Sequence, residues 1–93
     1  MNTIQFTSGS SGSAVITVRE ISHGRTTGNT VRFRKANGFD GFTSVILQNS
    51  SGYSITVTDT DTYTFTASSG TATTGGQRGG GENATAGPVT LEA

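Results

Sequence analysis

Along the chain, six short segments alternate apolar with polar residues or hold a brief apolar run, and Gly, Asn, Asp and Ser separate them. The first, "TIQFT", places Ile4 and Phe6 on one face. Beyond the Gly/Ser connector "SGSSGS" comes "AVITVREI", in which Ala14, Ile16 and Val18 share a face while Val15 and Ile21 fall on the other. "TVRFRK" turns Val31 and Phe33 inward and Arg32 and Arg34 outward. "SVILQN" reads as a fourth strand closed by the turn-rich "NSSG". The last two are the clearest: "YSITVT" and "TYTFTA" set Tyr53, Ile55, Val57, Tyr63, Phe65 and Ala67 against a threonine-rich face. With Asp59-Thr60-Asp61 between them they predict a β-hairpin.

No helical period of useful length is visible. The expected inward positions are Ile4, Phe6, Ile16, Val18, Val31, Phe33, Val45, Leu47, Tyr53, Ile55, Val57, Tyr63 and Phe65. "ANGFDGF" carries two turn pairs, Asn37-Gly38 and Asp40-Gly41, with Phe39 and Phe42 placed to cap one end of the core. From Ser68 to Gly87 no apolar side chain exceeds alanine, and such a run reads as a flexible arm. Val89 and Leu91 then share a face in "PVTLEA", a short C-terminal strand. The expectation is an all-β domain over residues 1–67, an arm over 68–88 and a strand over 89–93. Its architecture is a small antiparallel β-barrel or two-sheet sandwich of five to seven strands.

Composition sharpens this picture. Threonine, the commonest residue with 18 copies, is β-branched and suits strands, while 14 Gly suit turns. At 93 residues with 30% hydrophobic content, the core is modest, and the chain has no cysteine to staple it. Oligomerisation is the usual remedy for a core of that size. Six cations balance six acids, so the strongly basic surface of a non-specific nucleic-acid binder is missing. No run approaches the roughly 20 apolar residues of a membrane span, and Met1–Gly12 has no basic leader. A soluble chain with neither an export signal nor a membrane contact is expected.

Candidate chemistry is sparse. The one histidine, His23, sits between a strand end and Gly24, where an imidazole commonly bonds to backbone; no nucleophile is specified beside it. "DTD" at 59–61 lacks the glycine and distal glutamate of a calcium loop. "GGQRGGG" lacks the ending of a phosphate loop, and "NAT" at 83–85 has no export signal to give it meaning. In "VRFRK" alternation sends Phe33 to the face opposite both arginines, which removes a stacking platform for single strands. Arg32, Arg34 and Lys35 then form a cationic row on an edge strand, suited to deterring aggregation or docking on an acidic partner. No enzyme, cofactor, metal or small-molecule substrate is expected.

"VITVREISHGRTTGNTVRF", "YSITVTDTDTYTFT" and the following Gly/Thr-rich run resemble a β-module common in tailed-bacteriophage virion proteins. The matching positions are His23, Gly24, Gly28, Val31 and Phe33, then Tyr53, Val57, Asp59, Asp61, Thr62, Tyr63, Thr64 and Phe65. The likeness covers about Val15 to Gly81 and consists of turn-and-strand patterns. The chain departs from the module by carrying "NSSG" before the Tyr strand, and by reading as freestanding from Met1 rather than as part of a longer tail or fibre protein.

The resemblance implies a phage virion structural protein, with capsid decoration as the leading role. It would bind the major capsid protein shell, or other virion structural proteins, through multivalent contacts, as a homo-oligomer in the particle assembled in the host cytoplasm. A tail, neck or baseplate ring component is the alternative, as is an adhesin module for a host-surface glycan. The candidate partner contacts are Arg32, Arg34, Lys35, Val89 and Leu91, the last two by adding a strand to a neighbour.

Overall fold

The computed structural model describes residues 2–49, 52–68, 70–79 and 84–87, and among them nine short strands and one helical turn. The strands are β1 (Asn2–Thr3), β2 (Gln5–Ser8), β3 (Val15–Arg19), β4 (Thr30–Arg34), β5 (Tyr53–Ser54), β6 (Thr56–Asp59), β7 (Thr62–Thr66), β8 (Arg78–Gly79) and β9 (Thr85–Gly87). They form two antiparallel sheets, ordered β1-β9-β4-β5 and β6-β7-β3-β2-β8. The architecture is therefore the sandwich and not the barrel, built from more and shorter strands than the alternation marks.

Alternation sets the core. Along β3 the burial runs outward-inward, with Ile16 and Val18 fully buried and Val15 41% exposed. On β4, Val31 and Phe33 are buried by the same rule. Aromatic rings from both sheets meet between them: Phe33 lies edge-on to Phe6 at 5.0 Å and 4.9 Å from Phe65, which sits 4.4 Å from Tyr53. Ring burial of this kind dominates the energetics of so small a core.

Four expectations need correction. "SVILQN" is not a strand: Ser44–Leu47 forms a helical turn, α1, whose N-cap Thr43 accepts the Ile46 N–H through Oγ1. Leu47 is buried as expected, but Val45 is 78% exposed, because a helical turn does not alternate. The segment expected as one hairpin arm divides at Ile55. Tyr53–Ser54 pairs with β4 in one sheet, while Thr56–Asp59 pairs with β7 in the other, and a register shift near Thr58 leaves Val57 only half-buried. The hairpin over β6 and β7 stands.

The third correction concerns the Gly/Thr-rich run, whose described residues are built into the sheets. β8 pairs with β2, β9 lies between β1 and β4, and Ala72, Ala84 and Ala86 are buried. Asp40 anchors the run. Asp40-Gly41, at φ 44° and 92°, makes the two-residue turn joining Phe39 to Phe42, and the Asp40 carboxylate accepts from the Ser8 hydroxyl and the Thr74 and Gly75 N–H groups. Those donors, the Ser8 hydroxyl first, hold its pKa below the usual aspartate value. At Gly75 a Cβ would come within 2.6 Å of the Ser11 amide, so glycine serves a close backbone approach there. The fourth is that β4 is not an edge strand, since β9 and β5 flank it.

The expected strand at Val89 and Leu91 lies outside the described residues. Among the described residues no helix is long and apolar enough to cross a membrane.

Candidate functional site

Two groups of polar side chains merit a close reading: the turn after β3 and the arginine row of β4. In the turn, the chain leaves β3 at Arg19 and Ser22 adopts φ 51°, its N–H donating to Asp61 Oδ1 at 2.8 Å. His23 follows, then Gly24 at φ 64° and Gly28 at φ 95°, conformations that glycine adopts without a Cβ penalty. Asn29 closes the turn by accepting the Thr26 N–H on its side chain at 2.9 Å.

This segment runs along β6, an edge of the five-stranded sheet, and bonds to backbone groups of that strand and of the residues on either side of it. The His23 N–H donates to the Thr60 carbonyl, the Thr27 hydroxyl accepts the Val57 N–H, the Gly28 N–H donates to the Ile55 carbonyl, and the Ile55 N–H donates to the Asn29 carbonyl. The imidazole joins in. Its Nδ1 accepts the Arg25 N–H at 2.8 Å, and its Nε2 lies 2.8 Å from the Asp59 carbonyl. Because a carbonyl only accepts, the ring carries its proton on Nε2 and no nitrogen is left over. An edge strand with unpaired backbone invites pairing with other chains, and this turn covers it.

Beneath the turn lies a buried ionic group that the sequence reading did not single out. Glu20 is fully buried, accepting from the Tyr63 hydroxyl at 2.6 Å and from Arg25 Nε at 3.0 Å and Nη2 at 3.2 Å. Burial, and then the Glu20 carboxylate, push the Tyr63 phenol well above its usual pKa, so it stays a donor. For Arg25, burial works to lower the pKa, but the bond and charge of Glu20 outweigh it and hold the guanidinium above its usual value. The His23 ring packs edge-on against Tyr63 at 5.1 Å. A carboxylate five residues before an arginine was a weak signal; which of the six acids is buried depends on the sandwich.

An open depression of about 520 Å³ borders His23, Arg25, Val57 and Asp59. Both imidazole nitrogens at its rim are bonded to backbone, and no hydroxyl bonds to the ring among the described residues. Asp59 Oδ1 accepts the Asp61 N–H, which holds the Asp59 carboxyl below its usual pKa, and Asp61 accepts from Ser22. "DTD" therefore orders the hairpin turn, and no group of three or more metal-ligating side chains occurs among the described residues. The bonds of the turn are thus those of a structural element.

The arginine row differs. Arg32 and Arg34 are half-buried on the outward side of β4, opposite Gly87 and Thr85 of β9. Lys35 is exposed at φ 57°, its N–H donating to Gln48 Oε1 at 2.8 Å. A second depression of about 520 Å³ brings Arg32 together with Val45, Ile46, Gln48, Asn49 and Ser68. Val45 is thus a surface residue beside Arg32, which the sequence concealed because three apolar residues in a row fit a strand and a helical turn equally. The structure does not bring Arg32, Arg34 and Lys35 to a sheet edge, and Val89 and Leu91 lie outside the described residues.

Comparison of the chain with protein-family models, curated proteins and solved structures returns no match.

Proposed function

We propose that this chain is a structural protein of a tailed-phage particle, acting by docking many copies on a protein shell and not by chemistry. Capsid decoration is the form of that role we favour. One observation carries the reading: the polar groups of the histidine-glycine turn, which bears the resemblance to the virion β-module, are consumed by the fold. His23 and Thr27 bond to β6 and the hairpin turn after it, and Gly28 and Asn29 to Ile55 just before it. A motif used in this way builds a module, which is what a virion component needs from it. A small sandwich without disulfides also gains stability from assembly.

The test is the copy number of the chain in purified particles, by quantitative mass spectrometry. Decoration of a shell predicts on the order of hundreds of copies, because closed shells repeat each contact many times. About a dozen copies or fewer would move the chain to a tail, neck or baseplate ring. Absence from particles would overturn the reading.

A further inference from the structure

We propose that the groove between Arg32 and α1 docks a carboxylate side chain of a partner protein, with an aliphatic neighbour of that carboxylate seated on Val45. This rests on the reading that the chain works by docking on protein, and it assigns the surface. The first ground is the state of Arg32. Its Nε is the one enclosed side-chain nitrogen or oxygen without a hydrogen-bond partner among the described residues. Among the described residues no counter-charge meets this half-buried guanidinium; such a state is costly, and the cost falls when an anion arrives.

The second ground is that the described acids bond elsewhere. Glu20 holds Arg25 and Tyr63, Asp40 holds Ser8 and the 74–75 amides, Asp59 holds the Asp61 N–H and Asp61 holds Ser22. Among the described residues the groove is lined by one cation, two amide side chains, the Ser68 hydroxyl and aliphatic groups, with no acid. The third ground is Val45 on its rim, 78% exposed beside the half-buried Ile46. A guanidinium matches a planar carboxylate through paired N–H donors, and the enclosed Nε directs that contact to the terminal nitrogens. A nucleic-acid backbone fits less well: it rewards several cations in a row and an aromatic platform, and this groove has one unpaired cation among aliphatic side chains.

The experiment titrates the full chain with acetyl-Leu-Glu-Leu-amide, following the Arg32 guanidinium and Val45 methyl resonances by NMR. Saturable shifts at both are expected. They weaken about tenfold or more, a loss of about 1.4 kcal/mol, for the glutamine peptide and in Arg32→Gln. Arg32→Gln leaves the melting temperature within about 2 °C, since its enclosed Nε has no hydrogen-bond partner to lose among the described residues. Absent shifts, shifts confined to other residues, or equal shifts with inorganic phosphate or oligothymidylate would overturn the proposal. In particles, Arg32→Gln and Val45→Asp should load about tenfold less than the wild-type chain. Normal loading of both variants would overturn the groove and leave the proposed function standing, whereas a wild-type chain that never loads would overturn the function.

Discussion

At Arg25 a guanidinium meets a carboxylate sealed in the core, and the groups around it are bonded in turn: Tyr63 to Glu20, His23 to two backbone groups. At Arg32 a guanidinium of the same chemistry meets no acid among the described residues, and one of its nitrogens is enclosed there without a partner. The two sit beside depressions of similar size. Pocket volume therefore distinguishes nothing here; the difference lies in which polar groups the fold has already satisfied. A saturated cluster serves the fold, and the unsaturated one is where we place the proposed contact.

The largest expected effect breaks the saturated side. Arg25→Ala takes the guanidinium away from the Glu20 carboxylate in the core, and should cost about 3–5 kcal/mol in chemical denaturation. Adding Glu20→Gln should restore part of that loss, because a neutral amide tolerates burial better than an unpaired charge. If Arg25→Ala melted like the wild-type chain, the cluster would not be structural.

Next come the two marks of the turn. Gly28→Val forces a β-branched residue to φ 95° and should cost about 2 kcal/mol. His23→Ala should cost less, about 1 kcal/mol, because His23 is only half-buried and water can replace its bonds to Arg25 and Asp59. The reverse order would reopen the case for histidine chemistry.

A smaller effect concerns acid. The pKa of Asp40 is lowered in the folded state, so the stability it lends is complete above the ordinary value of 3.8 and fades as pH falls through the lower folded value. Asp40→Asn should therefore flatten the acid limb of the melting curve below about pH 4 and change its neutral region by a constant offset. An unchanged acid limb would mean that Asp40 does not anchor the glycine-rich run.

Much of this was legible in the sequence and some was not. Alternation in "VITVR", "TVRFR" and "TYTFT" marked the faces of β3, β4 and β7, since a half-buried strand has no other way to read. The glycines at 24 and 28 marked a turn for the same local reason. Alternation did not mark α1, which at four residues is too short for a helical period, nor the change of sheet at Ile55. The run after Ser68 looks like an arm in the sequence because glycine permits flexibility and close packing alike. What decides between them is Asp40, which sits over 30 residues earlier in sequence. The burial of Glu20 and the isolation of Arg32 are likewise long-range facts, set by which sheet each strand joins.

The most direct test is cryo-electron microscopy of the intact particle at side-chain resolution. Many copies of this sandwich are expected on the shell, with Arg32 and Val45 against an acidic residue of the shell protein and the His23–Asn29 turn lying along β6 away from the contact. A contact formed by the His23 turn, with Arg32 facing solvent in every copy, would contradict this arrangement.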